Sequence, residues 1–339
     1  MGLFSRFCTA CASPLRFLWN SKRAGTAVIK LKHTPSNRLS GSSRRRRPSS
    51  NDPDKRAVPF KFIHITDTHL ANPGSTLYGL DPRARLDAAI ADINKHQSDA
   101  AFAVVTGDLT HWGEAESYAN FADAMAALKI PYIAMVGNHD KRVICLDALK
   151  AAPRDANGFV QGTRTTEHGL FVFLDTLDET SHAGEMCAKR FDWLAKTLAS
   201  APAGQEFVVF MHHPPFPIGV HAMDEIGLKQ SAEFAEVIAP YRSRIRHLFF
   251  GHVHRPIFGS YGKIPFSTLR GTNHQVWFEL DANAPHLASH EPPAYGVVLI
   301  DDQNIVVHSH DFLDESLRFP FEPPAGMDGR DYALKFPAR

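Results

Sequence analysis

The chain has 339 residues, 37 Lys+Arg against 36 Asp+Glu, and only 4 Cys. That length suits one large α/β domain or two smaller ones, the cysteines are too few for a disulfide scaffold, and no run of about 18 apolar residues is present to form a transmembrane helix. The balanced charge is an average of unlike pieces: 11 basic and no acidic residues lie in 1–50, leaving 26 basic against 36 acidic beyond, an excess of negative charge that does not suit a nucleic-acid binder. Residues 1–57, with the run Arg44-Arg45-Arg46-Arg47, read as a basic, disordered segment. A transit segment or a start placed too early are the alternatives. Cys8 and Cys11 have C-x2-C spacing, but no second pair or histidine follows at zinc-finger distance. A reducing, cytoplasmic setting is expected, or an organellar one if residues 1–57 direct transit.

The folded part is expected over 58–312, followed by an irregular tail over 313–339. Lys61 to Thr66 reads as the first strand, and Asp67 and His69 after it stand at i, i+2, on one side of an extended chain. Asp81-Pro82 reads as a helix start, with Leu86, Ile90 and Ile93 at helical spacing. Ala101 to Thr106 is a second strand ending at Gly107-Asp108. Tyr118, Phe121, Met125 and Leu128 mark a second helix, and Ile130 to Val136 a third strand, ending at Gly137-Asn138-His139-Asp140. This βαβαβ order implies an α/β fold with a parallel sheet, whose ligands collect at strand carboxyl ends.

Pro153 to Gly169 reads as irregular, Leu170 to Leu174 as a strand, and Phe191, Leu194 and Leu198 as one face of a helix. Phe207 to Met211 is a strand ending at His212-His213-Pro214-Pro215. A long loop, Phe216 to Leu228, follows, of the kind that shapes a substrate pocket. A helix through Phe234 and Ile238 precedes the strand His247 to Phe250, which ends at Gly251-His252-Val253-His254. Ile264 to Thr268, Gln275 to Leu280, Tyr295 to Ile300 and Asn304 to His310 read as antiparallel strands completing a second sheet. The Pro-rich end, Phe319 to Arg339, has no clear period.

Apolar runs that each end in carboxylate, imidazole or amide side chains carry the chemistry. One such residue alone is ordinary turn or surface chemistry; Gly-Asn-His-Asp and Gly-His-x-His in order, each after a strand, are specific in combination. The pattern D-x-H, G-D, G-N-H-[DE], H, G-H-x-H resembles the calcineurin-like metallophosphoesterase superfamily. The resemblance implies a four-layer αββα sandwich with two mixed β-sheets and a dinuclear metal site. It implies one ion on Asp67, His69 and His254, another on Asn138, His212 and His252, and Asp108 bridging them. It implies that His139 faces the phosphate, stabilising charge or protonating the leaving oxygen, and that Asp140 orients His139. Imidazole, carboxylate and amide donors without thiolate suit divalent Mn, Fe, Co or Zn. Two such ions about 3.5–4 Å apart bind attacking and leaving oxygens of an in-line displacement by a bridging hydroxide.

Within the superfamily, His-His-Pro-Pro-Phe, then Met223-Asp224-x-Ile226-Gly227-Leu228 and Gly271-Thr272-Asn273-His274, are similar to class III cyclic-nucleotide phosphodiesterases and their glycerophosphodiesterase relatives. The implied substrate is a 3′,5′-cyclic nucleotide or another small phosphodiester, with His213, His221, Met223 and His274 as candidate substrate contacts. A glycerophosphodiesterase, a broad-specificity phosphoesterase, or a metal-free scaffold tethered by the basic N-terminus are the alternatives. One departure stands out: many relatives carry Asp or Asn three residues after the Asp of G-D, where this chain has His111.

Overall fold

The computed structural model describes residues 59–336; the expectations for the basic segment, Cys8 and Cys11 lie outside them. In chain order the elements are β1 (Phe60–Ile65), α1 (Pro82–His96), β2 (Ala103–Val105), α2 (Ala115–Met125), β3 (Tyr132–Ala134), α3 (Arg142–Ala148), β4 (Gly162–Thr166), β5 (Gly169–Phe173), α4 (Ala188–Ser200), β6 (Phe207–Met211), α5 (His221–Asp224), α6 (Ser231–Ile238), β7 (Ile245–Phe250), β8 (Phe258–Tyr261), β9 (Ile264–Thr268), β10 (Gln275–Val276), β11 (Ala288–Ser289), β12 (Tyr295–Ile300), β13 (Ile305–His310) and α7 (Gly329–Leu334).

Two mixed sheets form the centre. One has the order β13-β12-β1-β2-β3, the other β4-β5-β6-β7-β9-β8. In the first, β1, β2 and β3 run parallel and β12 and β13 add antiparallel strands at one side. In the second, β5, β6, β7 and β9 run parallel between antiparallel edges β4 and β8.

Strand periodicity explains the layering. Successive side chains point to opposite faces, so Phe62, Phe102, Val104 and Met135 of the first sheet meet Phe171, Phe173, Val208, Phe210 and Phe249 of the second in one apolar layer. Phe210 and Phe249 stack there at 4.9 Å. The alternate residues, among them Ile63, Ile65, Val105 and Val136, pack against Leu86, Ile90, Tyr118 and Phe121 of α1 and α2. On the far side Val209, Met211 and Leu248 pack against Leu194, Phe234 and Ile238 of α4 and α6. The result is a four-layer αββα sandwich. Central strands buried on both faces read as continuous apolar runs, and truncating Phe62 or Phe210 to Ala is expected to cost about 3–5 kcal/mol.

Several sequence expectations need correction. The C-terminal strands do not complete one sheet: β9 lies parallel to β7 in the second sheet, whereas β12 and β13 extend the first. Val298 and Ile300 of β12 fill the layer between the sheets; their alternation predicts a strand but not its partner. Only Gln275–Val276 of the Gln275 to Leu280 run pairs, with Ala288–Ser289. The stretch read as irregular contains β4, a polar edge strand with mostly exposed residues and no apolar alternation. Helix α3 follows the Gly-Asn-His-Asp turn. In the tail, Asp328 caps α7 through Arg330 N and Asp331 N. Among the described residues no helix is long and apolar enough to cross a membrane.

Candidate metal centre

The carboxyl ends of β1, β2, β3, β6 and β7 meet at one edge of the sandwich. Their loops lock together through backbone hydrogen bonds: Asp67 N to Gly107 O (3.2 Å), His69 N to Asp108 O (2.9 Å) and Gly251 N to His212 O (3.1 Å). Asp67, His69, Asp108, His252 and His254 all have left-handed backbones, with φ of 53°, 46°, 49°, 70° and 46°. Each such non-glycine costs roughly 1–2 kcal/mol, a strain that persists where the surrounding structure fixes a functional geometry. Gly251 permits the approach: a Cβ there would lie 2.8 Å from His212 Nδ1 and 2.8 Å from Thr106 O.

Two donor sets result. In the first, ligand atoms of Asp67, His69, Asp108 and His254 all lie within 4.8 Å of one another. His69 Nε2 is 3.1 Å from His254 Nε2 and 3.5 Å from Asp108 Oδ2, and His254 Nε2 is 3.4 Å from Asp67 Oδ1. In the second, Asn138 Oδ1 is 3.1 Å from His212 Nε2 and 2.9 Å from His252 Nδ1, and His212 Nε2 is 3.4 Å from Asp108 Oδ2. Asp108 Oδ2 therefore belongs to both.

The remaining polar atoms fix these orientations. His212 Nδ1–H donates to Thr106 O (2.7 Å) and His254 Nδ1–H to His274 O (2.7 Å), which turns both Nε2 lone pairs inward. Thr66 Oγ1 donates to Asp67 Oδ2 (2.6 Å), His252 N to Asp67 Oδ1 (3.1 Å), and His139 N to Asp108 Oδ1 (2.9 Å). His69 Nδ1 meets His111 Nδ1 at 3.0 Å, so the residue that departs from the family pattern sits directly behind a donor.

The donors fit metal ions. Ligands about 2.1 Å from an ion stand about 3.0–3.4 Å apart, matching these spacings, and buried lone pairs facing carboxylate oxygens call for a cation between them. The electrostatics agree. Burial alone would raise Asp108, but the charges of His212 and His139 hold its carboxyl well below the usual range. Burial works against a charged His212, yet Asp108 pushes it up to about 9, so the carboxylate favours positive charge at His212 Nε2, the position a cation would take in place of the proton. Burial holds His69 and His252 well below the usual value, in the neutral form that ligates.

The other sequence candidates divide. His139, half-buried, donates through Nδ1 to His111 O (2.8 Å) and stacks on the His111 ring at 4.6 Å, with its ring in the wall of the pocket over the donors. Asp140 does not orient it. The Asp140 carboxylate accepts instead from Leu109 N, Thr110 N, Gly137 N and Tyr118 Oη, at 3.1, 3.2, 2.9 and 2.8 Å, binding the Gly-Asp loop to the Gly-Asn loop. Burial, then the Asp108 charge, pushes it up to about 6. His213 is buried, its Nδ1 2.8 Å from Thr176 Oγ1 and its Nε2 3.2 Å from His182 O, and its ring nitrogens group with those of His212 and His252 within 4.8 Å. His221 is exposed, 3.3 Å from Glu225 Oε1, and lines a neighbouring pocket rather than this one. Met223 and His274 do line it.

Tyr78, His182 and His286 also line the pocket, of about 270 Å³, and escaped the sequence reading. Asn138 Nδ2 donates to His182 Nδ1 (2.9 Å), which turns Asn138 Oδ1 toward the donors. His182 sits in a mixed loop without a motif, so only tertiary contact reveals it.

Comparison with known proteins decides the family. The profile of the calcineurin-like phosphoesterases matches residues 60–256. The chain belongs to this family. As a calcineurin-like phosphoesterase it is a metal-dependent hydrolase of phosphoric esters. It is 46% identical over 256 residues, 75% of this chain and 93% of the relative, to a probable cyclic nucleotide phosphodiesterase of Rhodopseudomonas palustris. It is 29% identical over 219 residues, 63% of this chain and 78% of the relative, to a glycerophosphodiester phosphodiesterase of Enterobacter lignolyticus. Among solved structures, the purple acid phosphatase PPD1 of yellow lupin shares the fold, with TM-score 0.57 and 14% identity, covering 76% of this chain and 52% of the lupin chain.

Proposed function

We propose that the protein is a dinuclear-metal-dependent phosphodiesterase that hydrolyses 3′,5′-cyclic nucleotides. The observation that carries this reading is the pair of buried donor sets sharing Asp108 Oδ2, with the His139 ring beside them in the pocket wall. Asp67, His69 and His254 would hold one ion, Asn138, His212 and His252 the other, with Asp108 shared between them. Bound ions there supply Lewis-acid polarisation of the phosphoryl oxygens and a water made acidic enough to attack at neutral pH.

The protein's own groups do the rest. His139, its Nδ1 committed to His111 O, presents Nε2 to the phosphate. As an imidazolium it stabilises charge developing on phosphorus oxygens and gives its proton to the leaving ribose oxygen as the P–O bond breaks. His111 and His182 position His69 and Asn138. Asp140 holds the two loops in register. A pocket of about 270 Å³ favours a small diester over a polymer, and the net negative charge of residues 51–339 argues against nucleic acid.

The Rhodopseudomonas relative supports the cyclic-nucleotide substrate, through its high identity over most of both chains. The Enterobacter relative supports a second reading, a glycerophosphodiesterase built on the same centre. Phosphorus NMR of products from Mn²⁺-loaded protein separates them. The proposal expects 3′,5′-cyclic AMP to open to a nucleoside monophosphate. An intact cyclic nucleotide beside cleaved glycerophosphoethanolamine selects the second reading, and no cleavage of either overturns both.

A further inference from the structure

Of the described non-glycine residues with left-handed backbones, Asp67, His69, Asp108, His252 and His254 carry donors of the metal centre, and Lys263 closes the β8–β9 hairpin beside Gly262. The one left over is Tyr78, with φ of 51°. It forms a two-residue turn with Gly79, φ 79°, closed by Leu77 N to Leu80 O (2.8 Å) and Leu80 N to Leu77 O (3.0 Å). Such a turn favours Asn, Asp or Gly at its first left-handed position. A bulky aromatic there carries a steric penalty that those residues avoid, so the turn itself does not account for a tyrosine.

The position of the ring does. Its plane stands at 66° to the His274 ring (4.7 Å between centroids) and at 88° to the His111 ring (5.9 Å) in the wall of the metal pocket, yet the residue is 55% exposed. Its carbonyl accepts from His290 Nε2 (2.9 Å), tying the turn to the segment just after β11. Leu287 and Ala288, from that same hairpin, line the pocket with Met223, Ile226 and Val276. The phenol ring is thus held in place against two imidazoles, with free surface, across a pocket that also has an apolar lining.

We propose that Tyr78 is a substrate-binding residue whose ring stacks on a planar substituent of the phosphodiester. This rests on the reading above, in which that substituent is the nucleobase. Stacking on an aromatic face tolerates any base, so the device favours cyclic nucleotides as a class without choosing between adenine and guanine.

The test compares Tyr78→Phe and Tyr78→Gly with the parent on 3′,5′-cyclic AMP, bis(p-nitrophenyl) phosphate and glycerophosphoethanolamine, all with Mn²⁺. Tyr78→Gly is expected to raise KM for the two ring-bearing diesters about 10-fold while leaving kcat within about 2-fold, the signature of lost uniform binding. KM for ring-free glycerophosphoethanolamine stays within about 2-fold, and Tyr78→Phe behaves as the parent on all three. The thermal midpoint of Tyr78→Gly stays at or above the parent's, since glycine relieves the left-handed strain. An unchanged KM for ring-bearing diesters, or an equal rise for the ring-free one, overturns the proposal. Failure of the parent to cleave cyclic AMP while it cleaves the aryl diester refutes the cyclic-nucleotide reading instead, and Tyr78 is then judged on the aryl diester.

Discussion

Replacing Asp140 separates two accounts of the Gly-Asn-His-Asp turn. If Asp140 served His139, its loss would damage chemistry and spare the fold. The structure instead gives its carboxylate three backbone N–H donors, Leu109, Thr110 and Gly137, plus the Tyr118 hydroxyl. All are buried, and a buried donor left without an acceptor costs about 1–3 kcal/mol. Asp140→Ala orphans the three backbone donors, while Tyr118 Oη keeps the Lys141 carbonyl (3.4 Å), a loss of about 3–9 kcal/mol, on the scale of a whole domain's stability. Asp140→Asn keeps one acceptor oxygen and turns an amide N–H₂ against backbone N–H groups, for about 2–4 kcal/mol. Tyr118→Phe removes one donor to Asp140 and the acceptor of Lys141 N (2.9 Å), and is expected to cost about 1–3 kcal/mol. Urea unfolding with chelator present, so that ion binding does not mask the difference, measures each. Combined with Tyr118→Phe, Asp140→Asn is expected to lose less than the sum, because the two share one hydrogen bond. Activity of Asp140→Asn is expected to recover as Mn²⁺ is raised, because the loops it holds carry ligands. An unchanged urea midpoint with kcat down 100-fold or so at saturating Mn²⁺ would refute the reasoning and restore Asp140 to His139.

Three further outcomes follow from the geometry. Gly251→Ala would press a Cβ against His212 Nδ1, Thr106 O and Thr66 Oγ1; weakened Mn²⁺ affinity in titration calorimetry is expected, and parent-like affinity contradicts the close approach. His182→Ala removes the partner of Asn138 Nδ2 and is expected to weaken one of two Mn²⁺ binding events about 10-fold, leaving the other in place; equal weakening of both argues against it. Burial lowers His247 to about 3 from 6.5, so the unfolded chain takes up the proton first and stability falls as pH drops below 6.5, by about 1.4 kcal/mol per unit until about pH 3. His247→Gln is expected to flatten the acid limb of the stability curve by that slope; a limb of unchanged steepness counts against it.

The candidate donors were legible because the pattern is local: short polar motifs after apolar strands name Asp67, His69, Asp108, Asn138, His212, His252 and His254, and the chain's own fold brings all of them to one edge. The parallel core was legible for the same reason, as continuous apolar runs separated by helical periods. What stayed hidden depends on partners distant in sequence. Nothing in Tyr295–Ile300 says that it pairs with β1. Nothing around His182 says that it meets Asn138 from 44 residues away. Asp140 is one residue from His139 but binds backbone some 30 residues earlier. His213 reads as a substrate contact beside His212, and only the folded chain shows its hydrogen bonds to Thr176 and the His182 carbonyl. β4 lacked a signal because an edge strand with exposed Thr and Arg has no buried face to pattern.

The central claim is that two ions share Asp108, and metal stoichiometry tests it most directly. Elemental analysis of Mn²⁺-loaded protein after removal of free metal, with electron paramagnetic resonance on the same sample, is expected to give two ions per chain in an exchange-coupled pair. In Asp108→Ala the coupling is expected to vanish and bound Mn²⁺ to fall below one per chain. One ion in the parent, or two uncoupled ions that Asp108→Ala leaves undisturbed, would contradict the account.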